Sequence, residues 1–274
     1  MLIILRFNNM SVGVYQMDIP VNSWFAAISL RHSQRKYSGE KPDENVVDRL
    51  DTTCINFRPF PSARAVLVRE PGYDVFKGII GSYFKVSDAP YYIAFIGDMT
   101  APNVQEVVGY IGEGIILEAT ALGLNTCWVG GFFNREAVIK QINLQDNEQV
   151  LAITPIGYSK DDSDRVGVSS KNHRRKNLNK LVVNGELDGS SWSRTALEAA
   201  RLAPSAANRQ PWRFTITADS IVVSIDKNRQ EFGVSRRLDC GIAMLHLELG
   251  ALTSGVNGKW QFLERADVAG YRTN

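Results

Sequence analysis

Cysteine is scarce in this chain, with three in 274 residues, and Cys54, Cys127 and Cys240 stand far apart. Such spacing builds neither a disulfide framework nor a CxxC-type zinc site, and a reducing cytoplasm is the simplest home. Histidine is as scarce (His32, His173, His246) and forms no cluster of metal-ligand spacing. Charge of one sign is lacking too: 31 Lys and Arg oppose 29 Asp and Glu, a formal net charge of +2. That balance gives no electrostatic case for nucleic acid or an anionic membrane as partner. No apolar run approaches the roughly 20 residues of a spanning helix. The short N-terminal run lacks a basic flank or cleavage site, so residues 1–16 read as an extension before a fold that starts at Met17. Walker A, HExxH and GxSxG motifs are missing, which leaves phosphate-loop, zincin and nucleophile-elbow chemistry without a carrier.

What is present is a globular composition, 44% hydrophobic and 22% charged, enough to bury a sizeable core. Apolar spacing predicts helices over 23–30 and 43–50, the second capped by Asp43 after Pro42. Runs at 65–70 and 91–98 read as buried strands, with a loop and short helix around Gly72, Gly78, Gly81 and Pro90 between them. The segment from Asn103 to Gly123 is apolar almost all round and ends on a glycine, as a central buried helix does. A helix over 135–141, a strand over 150–158 and a polar, basic arm over 159–177 follow. The second part opens with a helix from Trp192 broken at Pro204, then strands at 214–217 and 221–226 and a second long helix.

The two long helices share more than composition. The constant offset that carries Trp128 onto Trp260 aligns Gly123-Leu-Asn-Thr-Cys-Trp128 with Gly255-Val-Asn-Gly-Lys-Trp260 without a gap, and Gly109 with Gly241. We expect two diverged copies of one unit, the first over 17–184 and a shorter second over 185–274. His246-x-Glu248 matches half of a deaminase signature, but no Pro-Cys-x-x-Cys follows, and His246 reads as a packed or helix-surface residue. Cys127 beside Trp128 reads as a small buried hydrophobe rather than a reactive thiol.

Two segments carry chemistry. In Arg31-His32-Ser33-Gln34-Arg35 an extended backbone points Arg, Ser and Arg the same way, two cationic forks flanking a hydroxyl. In Ala203-Pro-Ser-Ala-Ala-Asn-Arg-Gln-Pro-Trp212 small residues and two prolines fix a tight turn that a flat ring could approach. Together with ATALGLNTCWVGGF (119–132) and PIGY (155–158) followed by Arg174 and Arg175, they resemble the FMN-dependent nitroreductase superfamily over about residues 23–262. The order departs from that family, because the Ala-Pro-Ser motif stands in the second part instead of directly after RHSQR.

The resemblance implies an α+β fold, a mainly antiparallel sheet flanked by helices, here duplicated as a pseudo-dimer within one chain. Family members are homodimers with FMN at the interface. The first copy would then offer Arg31, Ser33, Arg35, Gly130, Gly131 and Arg174 or Arg175, and the second Pro204, Ser205 and Asn208, making one site per chain. Arg31 with Arg174 or Arg175 would pair the phosphate, at about 1.5 to 3 kcal/mol per charge-assisted hydrogen bond. Arg35 would meet the pyrimidine edge, the Gly130–Gly131 backbone would approach flavin N5, and Pro204 and Ser205 would pack on the ring. The implied activity is ping-pong reduction of nitroaromatic, quinone or similar acceptors with NAD(P)H as co-substrate and no catalytic side chain of the protein's own. A flavin carrier without turnover, or a specialised FMN-dependent reductase such as a dehalogenase, are the alternatives. The chain is expected to be a monomer or a weak homodimer.

Overall fold

The computed structural model describes residues 17–76, 85–167, 174–186, 191–227 and 233–274. The expected extension 1–16, Gly78, Gly81 and His173 lie outside the described residues. In chain order the elements are α1 (Val21–Leu30), α2 (Glu44–Asn56), β1 (Ala63–Val68), β2 (Tyr91–Asp98), α3 (Val104–Ala121), β3 (Asn125–Thr126), α4 (Arg135–Ile139), β4 (Glu148–Gly157), α5 (Leu178–Leu181), β5 (Val182–Asn184), α6 (Trp192–Arg201), β6 (Trp212–Ile216), β7 (Ser220–Ile225), α7 (Arg236–Thr253), β8 (Gly258–Phe262) and β9 (Asp267–Thr273). Two sheets form, a four-stranded one in the order β1-β2-β4-β3 and a five-stranded one in the order β5-β6-β7-β9-β8. All pairings are antiparallel except β5 with β6. This is the expected α+β class.

The two sheets are buried to different depths. Every residue of β2 from Tyr91 to Gly97 is buried, because α3 lies on one face of the first sheet and a second apolar cluster around Tyr37, Val75, Tyr92, Ile96, Val138 and Ile153 covers the other. Strand β7 buries Ile221 and Val223 and leaves Ser220, Val222 and Ser224 half-buried, the alternation of a sheet packed mainly on one face. The inner faces of both sheets and the helices between them share one core.

At its centre α3 packs along α7. The two helices are each 18 residues long, and the offset that relates Gly109 to Gly241 also carries Val104 onto Arg236 and Ala121 onto Thr253, their first and last residues. Gly109 and Gly241 make their close approach possible. A Cβ added at Gly109 would collide with the Leu238 carbonyl, and one at Gly241 with the Glu106 carbonyl. Those contacts exchange under the same offset, since Leu238 lies as far beyond Glu106 as Gly241 lies beyond Gly109. After each helix the chain turns on a glycine of positive φ, Gly123 at 82° and Gly255 at 76°.

Most boundaries lie close to those expected from the sequence, but α2 runs on to Asn56, because Thr53 and Cys54 are buried on its inner face and extend the apolar stripe. Helix α6 ends at Arg201, ahead of the proline. β3, α5, β5, β8 and β9 were not evident in the pattern. The first three are too short for periodicity, and in β8 and β9 the pairing partner defines the strand.

Candidate functional site

A cavity of about 340 Å³ opens between the two halves. Ser33, Arg35, Gly130, Gly131, Pro204 and Ser205, six of the ten residues expected at a site, line it. Its other walls are largely apolar, with Trp128, Val129, Phe132, Val234, Leu238 and Ile242. The segment after α1 follows its expected alternation at Ser33 and Arg35 but not at Arg31. Ser33 and Arg35 face the cavity, while His32 turns to the Asp164 carbonyl and Gln34 donates to the Ser159 hydroxyl. Pairing of Ser33 with Thr126 of β3 fixes that register.

The Pro204–Trp212 turn is strained and heavily braced. Ala207, Asn208 and Gln210 all have positive φ, at 49°, 54° and 48°, a region that disfavours side chains other than Asn, Asp or Gly. Asp239, in the first turn of α7, accepts the Ala206 N–H at 3.0 Å and the Arg209 Nε–H at 2.6 Å. Arg209 also donates to the Val234 carbonyl, and the Ser205 hydroxyl accepts the Gln210 N–H. Burial pushes the Asp239 carboxyl up to about 6, with Arg209 and the Ala206 N–H opposing that rise. Asp239 and Arg209 were missed in the sequence, where nothing local distinguishes RRLDCG from any helix start.

The remaining four expected residues do not line the cavity. Arg31, at the end of α1, is 3% exposed, and its Nε has no hydrogen-bond partner among the described residues. That Nε lies 3.8 Å from Oε1 of Glu113. Arg175 donates to Asn208 Oδ1 at 2.7 Å and to the Leu202 carbonyl, so Asn208 serves as its anchor. Burial first, and then the like charge of Arg31, lower Arg175 to about 10, while Glu113 acts in the opposite sense. Arg174 is exposed, and its carbonyl accepts from Asn208 and Gln210.

Behind the cavity lies a second group that no sequence pattern marked. Glu113, in the middle of α3, is fully buried. Its Oε2 accepts the Trp128 indole N–H at 2.7 Å, and its Oε1 lies 2.9 Å from Nε2 of His246 on α7. His246 is thus a packed histidine, as its setting in the sequence suggested. Cys127 is buried and also lines the cavity. All three cysteines are free. Among the described residues no group of His, Cys, Asp and Glu is arranged to hold a metal, and no helix is long and apolar enough to cross a membrane.

A family model described as "Putative TM nitroreductase" matches residues 24–251. The chain belongs to this nitroreductase family. It is accordingly an oxidoreductase. Among solved structures, a nitroreductase described as putative from Thermotoga maritima is similar over 94% of this chain and 97% of its own, with 22% identity and a TM-score of 0.63. An FMN-dependent nitroreductase from Clostridium difficile R20291 is 19% identical, covering 55% of this chain and 96% of its own, with a TM-score of 0.43. A protein from Bacteroides thetaiotaomicron described as a putative NADH dehydrogenase/NAD(P)H nitroreductase is 20% identical over 50% of this chain and 87% of its own, with a TM-score of 0.42. No curated protein matches. The nitroreductase fold of the Thermotoga protein thus extends over nearly the whole of both chains.

Proposed function

We propose that this nitroreductase binds one FMN per chain, takes electrons from NAD(P)H and passes them to an electron-poor small molecule such as a nitroaromatic or a quinone. The observation that carries this reading is the composition of the cavity. Ser33, Arg35, Gly130 and Gly131 come from the first half and Pro204 and Ser205 from the second, the division expected of a site built between two packed copies. The residues fit the cofactor. Apolar walls suit a flat ring, a Cβ at Gly130 would come within 2.8 Å of the Val234 side chain, and the buried Arg31 Nε lacks a hydrogen-bond acceptor.

Bound FMN supplies the hydride chemistry, so the protein needs no nucleophile of its own. Arg31 and Arg175 would hold the phosphate. Arg175 is favoured over Arg174 because it is partly buried and anchored by Asn208 and the Leu202 carbonyl, whereas Arg174 is exposed. Arg35 and Ser33 would meet the polar edge of the ring, Arg35 favouring negative charge there. Backbone N–H groups at Gly130 and Gly131 would approach the reacting face, and Pro204 and Ser205 would close the other side. Asp239 holds that closing loop in place through Ala206 and Arg209.

The chain would be two diverged copies acting as a pseudo-dimer, and a monomer in solution. The reciprocal contacts of Gly109 and Gly241 support this, as does the fate of the equivalent second site. Under the offset that relates those two glycines, Gly130 and Gly131 become Phe262 and Leu263, and Ile242 becomes Tyr110. There Phe60 packs against both Tyr110 and Phe262, at 5.3 and 5.6 Å between ring centroids. Aromatic side chains occupy part of the equivalent space, and an open groove lined by Phe262, Leu263, Glu264, Arg237 and Arg265 remains beside them.

The test is flavin stoichiometry after saturation with FMN, followed by NADH or NADPH oxidation with a nitroaromatic or quinone acceptor. About one FMN per chain and acceptor-dependent turnover are expected. Two flavins per chain would defeat the single-site reading. Flavin binding without turnover would leave a carrier.

A further inference from the structure

Glu113 and His246 are both fully buried and belong to different halves. Nδ1 of His246 lies 3.0 Å from the Ala199 carbonyl oxygen, which can only accept, so that nitrogen carries a proton. Nε2 faces Oε1 of Glu113 at 2.9 Å. A lone pair on Nε2 against an ionised carboxylate would be repulsive in a dry interior, so a proton sits between the two atoms. Whether it is drawn on nitrogen or on oxygen, the pair is neutral as a unit. Oε2 of Glu113 meanwhile accepts from the Trp128 indole, a wall of the cavity.

Arg31 stands 3.8 Å from the same Oε1, and Arg175 senses both Arg31 and Glu113. An ionised Glu113 without its histidine would cancel one of the two arginine charges. We propose, resting on the flavin reading above, that His246 is a positioning residue for phosphate recognition: by sharing a proton with Glu113 it leaves Arg31 and Arg175 as a doubly positive cradle matched to a phosphate dianion. A phosphate monoester carries about −1.5 to −2 at neutral pH, so a cradle of charge two neutralises it and a cradle of charge one does not. The pair lies between α3 and α7 and touches α6 through Ala199, so this charge setting depends on both halves being packed together.

The experiment compares dissociation constants for FMN and for riboflavin, which lacks the phosphate, by quenching of flavin fluorescence. His246→Leu should lower the preference for FMN over riboflavin about tenfold or more, with riboflavin affinity changed no more than about twofold, because only the phosphate senses the cradle. Adding Glu113→Gln to His246→Leu should restore most of the preference, since the amide still accepts from Trp128 and brings no charge. Equal loss of both flavins, or an unchanged preference in His246→Leu, overturns the proposal and leaves the flavin reading standing. A wild-type chain that binds neither flavin overturns both. Should His246→Leu fail to fold, ring ¹⁵N shifts of His246 and the ¹³Cδ shift of Glu113 in the wild-type protein decide. One proton shared by the pair at neutral pH is expected, and a singly protonated ring beside an ionised Glu113 overturns the proposal.

Discussion

The neighbourhoods of Gly130 and Phe262, which follow the two long helices at the same offset, have different contents. Around Gly130 the chain keeps a cavity bounded by Ile242 and Pro204. Around Phe262, Phe60 packs against both Phe262 and Tyr110 beside an open groove. The long helices that frame both places remain matched in length and in glycine contacts. The difference teaches that the crossing of α3 and α7 tolerates added side chains less than the space beyond the helix ends does. A helix crossing is strained as soon as one glycine gains a side chain, whereas the space beyond it accepts aromatic residues that add to the core.

The comparison can be broken most severely at the crossing. Gly241→Leu drives a side chain into the Glu106 carbonyl and should cost about 3 kcal/mol or more, lowering the melting temperature by roughly 6–12 °C. Gly109→Leu should do the same against Leu238, and a mild effect at either glycine in thermal denaturation would count against reciprocal packing. Next comes Gly130→Phe, which gives the first half the residue of its counterpart. With an unchanged circular dichroism spectrum, FMN affinity should fall about 100-fold, or nearly 3 kcal/mol.

Asp239 sharpens the contrast through pH, because its equivalent in the first half is Val107. Burial lifts its carboxyl to about 6 in the folded chain, against about 3.9 when unfolded. The folded state therefore binds the proton more tightly. The stability this contributes is fully present below about pH 4 and is lost as pH rises through 6, about 2–3 kcal/mol in all. Asp239→Asn should remove that slope, read from urea midpoints between pH 4 and 7. Smaller still, Asn208→Ala releases Arg175 from its anchor and should weaken FMN binding about tenfold while sparing riboflavin. The smallest expected effect is that of Phe262→Gly. Enlarging that place should leave flavin stoichiometry near one per chain, since Phe60 and Tyr110 still pack together there.

The site was legible in the sequence where function writes a contiguous pattern. RHSQR and APSAANRQPW could be singled out because each is a contiguous motif that resembles the nitroreductase superfamily, and both segments do reach one cavity or its border. The long helices were legible from periodicity, and β2 from its unbroken apolar run. Asp239 and Glu113 were not, because a buried carboxylate in a helix looks like any surface carboxylate until its partner is known. Arg209 and Asp239 are 30 residues apart, and Glu113 and His246 are 133 apart. The roles of Arg174 and Arg175 were equally hidden, because their place depends on Asn208 and Leu202 across the fold.

By itself the sequence determined the two long helices and the apolar strands, set by short-range spacing of apolar residues and glycine, while the α+β arrangement and the two candidate segments were legible through their resemblance to the nitroreductase superfamily. Only the tertiary structure decided that segments as distant along the chain as Ser33 and Pro204 meet at one cavity, that Phe60 packs between Tyr110 and Phe262, and that Arg31 shares its surroundings with Glu113, His246 and Arg175. Those outcomes rest on contacts between the halves and on the charge balance of a dry interior, which exist only after α3 and α7 have packed.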